Sequence, residues 1–289
     1  MDFATFLVQC LNAVQYGLLL FLLASGLTLI FGIMGVINLA HGSFYMIGAY
    51  MAFALAPVLG QHFVTMLLVG TVLAVAIGYV LEWAFFSFLY EREHLQQVLM
   101  TFGLILVFEE LRALLFGNDV HGVQLPGWLA GSFSLAGLMS YPWYRIFASA
   151  ACLVVALALY WVVNRTRLGM MVRAGASNRD MVRGLGIDIQ RLYRIVFAMG
   201  VALAALAGMI AAPMSSVYPN MGSSVLIICF VVVVIGGIGS ITGALLASLL
   251  VGFVDTFGKV FFQELSGMSI YLLMAIVLVW RPEGLMGKR

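Results

Sequence analysis

The stretch Gly35-Val-Ile-Asn-Leu-Ala-His-Gly-Ser-Phe-Tyr-Met-Ile-Gly-Ala-Tyr50 lies inside a run from Asn12 to Gln61 that contains no Asp, Glu, Lys or Arg. Such a run belongs in hydrocarbon, yet Asn38, His41 and Ser43 fall within six of its positions. The whole chain repeats the pattern. Of its 289 residues 64% are hydrophobic and 9% charged, with a mean hydropathy of +1.11; soluble domains run at roughly 45–50% apolar and about 25% charged. The apolar runs reach or exceed the ~20 residues that a helix needs to cross ~30 Å of hydrocarbon, and they lack the ~10-residue alternation of an outer-membrane barrel. Backbone groups cannot face lipid unpaired, so the spans are helical. The fold class expected is all-α, a polytopic helical integral membrane protein with one transmembrane domain over 1–289.

Reading between polar breaks gives about nine candidate spans, near 5–32, 43–59, 64–90, 98–116, 143–163, 194–212, 225–239, 240–257 and 268–281, with eight to ten as the range. The first basic residue is Arg92, so the N-terminal run lacks the positive region of a secretory signal and is expected to stay as a span. Of the 14 Lys and Arg, seven fall between Asn164 and Arg194, three close the chain (Arg281, Lys288, Arg289), and Arg92 lies in the turn Tyr-Glu-Arg-Glu-His-Leu-Gln-Gln. Basic residues flanking spans mark the cytoplasmic side, so these clusters should share one face. Nine crossings allow it, with the N-terminus outside and the C-terminus inside; treating 225–257 as one crossing would not. Arg112, Arg145 and Lys259 are then the basic residues left outside the cytoplasmic clusters. The longest external loop, 117–142, is rich in Gly, Ser and Pro and has Trp128, Tyr141, Trp143 and Tyr144 near its edges, as an interface expects.

Catalytic patterns are missing. There is no HExxH pair, no GxSxG elbow and no Cys/His cluster, and the four His stand far apart. Gly252 to Val260 resembles a nucleotide loop but has one residue too many between its glycines and Val where Ser or Thr must hold magnesium. The chain is therefore not read as an enzyme, and any ATP hydrolysis would fall to separate subunits. Cys10, Cys152 and Cys229 stand singly and read as small core residues. No cofactor, metal or nucleic acid is expected.

Four features carry function. In 164–194, Ser177 or Asn178 can cap a short helix with Asp180 in its first turn, and Gly184 and Gly186 supply a stop. This is either a docking surface for a cytosolic partner or an ordinary positive-inside loop. Between Val234 and Gly252, Gly239, Gly243 and Ala247 form a small-residue row that lets helices approach, and Gly236-Gly237 loosens the chain where one helix reverses into the next. Charges inside spans cost roughly 2.5–3.5 kcal/mol each at mid-bilayer on insertion scales. Glu109 and Arg112, three apart, can pair; Glu82 and Asp255 are read as lacking a near partner and so as facing a protein interior or a wet cavity. Finally, Gly32, Gly35 and Gly42 flank Asn38 and His41 as in an interrupted helix. A helix starting at Asn38 or Ser43 would point its amide groups into the break, where transporters receive carboxylates or line a pathway. The alternative there is a plain turn with Asn38 as cap and His41 at the interface.

Four blocks in order, "GVINLAHGSFYMIGAY", "TFGLILVFEELRALLFGND", "TRLGMMVRAGASNRDMVRGLGID" and "IGGIGSITGALLASLLVGFVDTF", span nearly the whole chain. Together they resemble the permease subunit of Liv-type ATP-binding cassette importers for branched-chain amino acids, in its shorter, H-type form. The turn at 91–97 lacks the Pro that many members carry there. The resemblance implies that this chain pairs with a second, related permease, that two cytosolic ATPases power it and that a periplasmic solute-binding protein delivers the solute across the bacterial inner membrane. It implies that Asn38, His41, Gly42 and Ser43 lie beside the translocation path, that Arg173, Asn178 and Asp180 belong to the segment meeting an ATPase, and that Gly236, Gly237, Gly239 and Gly243 are packing positions. Solutes of close relatives include urea and short amides. Glu82 and Asp255 keep open the alternative of a self-sufficient ion-coupled secondary transporter or channel.

Overall fold

The computed structural model describes residues 2–60, 62–90, 92–135, 139–261 and 263–287. Lys288 and Arg289 of the basic C-terminal cluster, and Glu91 of the 91–97 turn, lie outside them. In chain order the elements are α1 (Phe3–Met34), α2 (His41–Leu59), α3 (Phe63–Ala84), α4 (His94–Phe116), β1 (Ser132–Leu135), β2 (Met139–Pro142), α5 (Trp143–Arg165), α6 (Arg167–Ser177), α7 (Arg179–Gly184), α8 (Ile189–Ser215), α9 (Met221–Gly236), α10 (Ile241–Phe261) and α11 (Ser266–Trp280). Every expected span meets a helix. Six segments are long and apolar enough to cross a membrane, namely α1, α2, α3 with the turn after it, α5, α8 and α10. The other three expected spans fall on α4, which carries Glu109, Glu110 and Arg112, and on the shorter apolar helices α9 and α11.

Burial sorts the helices into a centre and a rim. A helix that is apolar all round has no face to give to water and goes to the middle. α1 does so over most of its length, and α8 lies beside it, with 89% and 83% of their most apolar windows buried against 28% for α3 and α5. Leu68, Val72, Leu106, Leu114, Leu157 and Trp161 are exposed on the rim helices, the surface that hydrocarbon covers.

The helices fall into two halves of opposite direction, α1–α4 and α8–α11, linked by α5–α7. Close approaches of Gly26 to Gly200 and a hydrogen bond from Gln15 to Met214 Sδ (3.5 Å) run α1 antiparallel to α8. Gly17 with Leu249 and Gly32 with Gly239 do the same for α1 and α10, as Gly70 with Met209 and Gly78 with Ala198 do for α3 and α8. In each half a long helix is followed by a non-helical segment, 35–40 or 216–220, and then by a shorter helix. This is the layout of an inverted repeat with discontinuous helices.

Both short helices start inside the molecule. His41 sits beside Leu23 and Gly26, eight to eleven residues before the end of α1, which is about 12–16 Å along its axis at 1.5 Å per residue. α9 has 16 residues, about 24 Å, less than the ~30 Å of hydrocarbon. The segment before α9 is anchored at the opposite end of the molecule, where Val217 and His121 exchange backbone hydrogen bonds of 2.7 and 2.8 Å.

Three expectations are corrected. α2 begins at His41, not at Asn38 or Ser43, because the Asn38 side chain closes a turn on Ala40 first. The 117–142 segment, expected only as a loop, contains the antiparallel strand pair β1–β2 with Phe133 opposite Tyr141. Asp255 does have a near partner: Lys259, one turn on, lies 2.5 Å away.

Candidate functional site

The break after α1 is built by its own residues. Gly35 ends the helix in the left-handed region at φ 64°, its N–H donating to Phe31 O. A Cβ there would be strained and would meet Arg179 Nη2 of α7 at 2.7 Å. Asn38 Oδ1 accepts the Ala40 N–H at 3.1 Å, the turn that Asn forms with backbone two residues on. Asn38, His41 and Ser43 are all buried inside the protein. The His41 Nε2–H donates to Leu23 O at 2.9 Å. Asn38 Nδ2 and His41 Nδ1 find no hydrogen-bond partner among the described residues. A buried polar group left so costs about 1–3 kcal/mol, a cost that a hydrated arrangement of the break would not carry.

Gly42 sets where the two short helices meet. A Cβ on it would fall 2.2 Å from Gly222 O, and one on Gly222 would fall 2.7 Å from Gly42 O. The second residues of α2 and α9 therefore touch backbone to backbone, and two positive helix ends point into one place in the interior. The reading from sequence singled out Gly42 but missed Gly222 and the 216–220 break, although Pro219-Asn220 ahead of an apolar run is a turn signal.

Two cavities of about 460 Å³ each lie toward opposite ends of α1, and none of Asn38, His41, Gly42 and Ser43 lines either. The first, at the β1–β2 end, is walled by Asn12, Tyr16, Tyr45, Arg145, Asp255 and Lys259 among others. Arg145 Nη1 donates to Asn12 Oδ1 at 2.6 Å and the Tyr141 hydroxyl donates to the same atom at 3.3 Å. Burial holds the Tyr141 phenol above its ordinary pKa, so it stays a proton donor there. The second cavity, at the other end, takes in Thr28 and Gly32 of α1, Arg173 of α6, and Gly239 and Thr242 before and within α10.

The basic segment forms two short helices against the end of α1. Thr166 caps α6 by accepting the Gly169 N–H at 3.2 Å, and Arg173 donates to Val163 O at the end of α5. Asn178 caps α7, its Oδ1 accepting the Met181 N–H at 2.9 Å, with Asp180 in the first turn and Gly186 beyond the end at φ 81°. Asp188 caps α8 in the same way through the Arg191 N–H at 3.0 Å. Gly175 packs on Ile33, near the break. Arg173, Asn178 and Asp180 are exposed, as are the apolar Met181 and Leu185.

At the turn from α9 to α10, a Cβ on Gly243 would lie 2.0 Å from Gly236 O, Gly237 adopts φ 94° against the backbone of Gly287, and Gly239 faces Gly32. Of the charges read into spans, Glu82, Glu109, Arg112 and Asp255 are paired, and Glu110 is exposed. Glu109 meets Arg112 at 3.0 Å, and Arg112 also donates to Gly117 O and Asn118 Oδ1 at the end of α4. Glu82, fully buried, accepts from the Tyr90 hydroxyl at 2.5 Å and lies 3.2 Å from Arg194 Nε of α8. It thus faces the protein interior, while Asp255 faces a cavity.

Comparison with known proteins agrees with this arrangement. Residues 9–278 match the family described as branched-chain amino acid transport system / permease component. The high-affinity branched-chain amino acid transport system permease protein BraD of Pseudomonas aeruginosa is 31% identical over 98% of this chain and 96% of its own length. LivH of Escherichia coli is 29% identical over 99% and 97%, and LivM of the same organism is 29% identical over 92% of this chain and 67% of its own length. A multi-pass helical chain that matches from its first helix to its last belongs to the branched-chain amino acid transport system permease family.

Proposed function

We propose that this chain is the permease subunit of an ATP-binding cassette importer for branched-chain amino acids or related small amino acids and amides, and that it hydrolyses nothing itself. It forms half of the translocation path beside a second, related permease; two cytosolic ATPases and a periplasmic solute-binding protein complete the assembly in the bacterial inner membrane. The N-terminus and β1–β2 end face outward, and α6–α7 and the C-terminus face the cytoplasm, as the basic residues of 164–194 favour.

The observation that supports this reading best is the seat of α6–α7 on the end of α1, with Gly175 against Ile33 and Arg179 beside Gly35. A push on Arg173, Asn178 and Asp180 from a closing ATPase pair reaches the break directly. Asn38, His41, Gly42 and Ser43 lie between the levels of the two cavities, so their role is to shape the gate that opens one cavity as it shuts the other. Gly236, Gly237, Gly239 and Gly243 let the turn before α10 move against α1 and α9 without side chains in the way.

The alternative, an ion-coupled secondary transporter, rests on Glu82 and Asp255 as ion-binding carboxylates; Glu82 lies against Arg194 and the Tyr90 hydroxyl, and Asp255 against Lys259. The coupling role is tested by Arg173→Ala and Asp180→Ala in the assembled complex. Both should lower the ATP hydrolysis stimulated by loaded binding protein, and uptake with it, several-fold. Full stimulation in both variants would remove the coupling assignment.

A further inference from the structure

Positive-inside placement leaves over Arg112, Arg145 and Lys259. Arg112 is used within α4 and the loop after it. The other two share the cavity at the β1–β2 end with Asp255. That cavity, about 460 Å³, is in the range of small-molecule sites, from about 300 Å³ upward.

Its charges are arranged unevenly. Arg145 is held by a neutral oxygen, Asn12 Oδ1 at 2.6 Å, and no carboxylate among the described residues lies within 4.0 Å of it. Asp255 is the reverse, a buried anion whose partner is the end of a Lys259 side chain that is 62% exposed. The Lys259 ammonium also lies 5.7 Å from the centre of the Tyr16 ring, a second resting place if it leaves the carboxylate. The wall thus offers a fixed cation without an anion and a fixed anion whose cation can be exchanged. Leu19, Ala211, Met214 and Val260 supply an apolar side to the same space.

We propose that this cavity binds the zwitterionic head of a free aliphatic α-amino acid, with Arg145 taking the α-carboxylate and Asp255 the α-ammonium as Lys259 moves aside. A guanidinium gives a carboxylate two parallel hydrogen bonds, and the apolar wall takes the aliphatic side chain. The assignment rests on the permease reading for the class of solute, while the charge pattern stands on this chain alone.

Two readouts on the purified complex separate the two. The first, taken on the permease and ATPase subunits before the solute-binding protein is added, is thermal stabilisation by millimolar L-leucine, compared with L-leucinamide, which lacks the carboxylate, and 4-methylpentanoate, which lacks the ammonium. The second is ATP-driven uptake of L-leucine in proteoliposomes. L-leucine should stabilise the complex and neither analogue should at the same concentration. Arg145→Gln and Asp255→Asn should each weaken that stabilisation and the uptake roughly ten- to a hundredfold, the scale of a lost hydrogen bond to a charged group. Arg145→Lys, which keeps the charge, should lose less than Arg145→Gln. Stabilisation by leucine without uptake would keep the site and overturn the importer reading. Uptake with equal stabilisation by both analogues, or with both neutral variants unchanged, would overturn the site and keep the importer. A variant that fails to assemble passes the decision to the analogue comparison on the unsubstituted complex.

Discussion

At the scale of single residues, His41 and Asn38 share one pattern of contacts with their surroundings. Each makes one hydrogen bond that fixes the local turn, to Leu23 O and from the Ala40 N–H, and each leaves one buried nitrogen without a partner. A side chain that both secures and under-satisfies a joint suits a part that must exist in two arrangements. His41→Ala and Asn38→Ala should therefore reduce ATP-driven uptake several-fold while the complex still assembles in the membrane. Unchanged uptake in both, at equal amounts of complex, would reduce them to turn chemistry. The polar cluster was legible in the sequence because polar side chains are expensive in hydrocarbon. Its burial against Leu23 was not, because the side of α1 that α2 meets depends on packing about twenty residues away.

At the scale of elements, the structure depends on pairings between the two halves. Glu82 of α3 has Arg194 of α8 as its ionic partner, 112 positions on, and Tyr90 closes the group from the turn after α3. Glu82 is fully buried and Arg194 is partly exposed, so removing Arg194 leaves a buried carboxylate with only the Tyr90 hydroxyl beside it, which destabilises the fold. Arg194→Ala should lower the melting temperature of the assembled complex in detergent clearly. Arg194→Ala with Glu82→Gln should cost less than the two single changes added together, since the shared interaction is lost once. Simple additivity would show that the pair is not coupled. The helix ends were largely legible: Asn178, Asp180 and Gly186 sit where cap chemistry puts them, because capping is local. Asp255 with Lys259 was legible at its spacing of four and was read as unpaired. Glu82 with Arg194 was not, since no local rule joins residues so far apart. The pairing of Ser132–Leu135 with Met139–Pro142 was equally hidden, the two strands being only four residues each.

At the scale of the whole molecule, charge-free runs and basic clusters were enough to put a helix at each of the nine expected segments, six of which are long and apolar enough to cross a membrane. They could not reveal that the halves run in opposite directions with their short helices touching at Gly42 and Gly222. That contact places a closed joint between two cavities, one beside β1–β2 and one beside the basic segment that seats on α1. If the proposed coupling holds, a chain built this way transports only when a partner moves α6–α7. The most direct test is uptake of L-leucine into proteoliposomes holding either this chain alone or the chain assembled with a second permease, the ATPases and a binding protein. The account predicts no uptake by the chain alone under a proton or sodium gradient, and uptake by the full assembly that stops without ATP. Gradient-driven uptake by the isolated chain would contradict it.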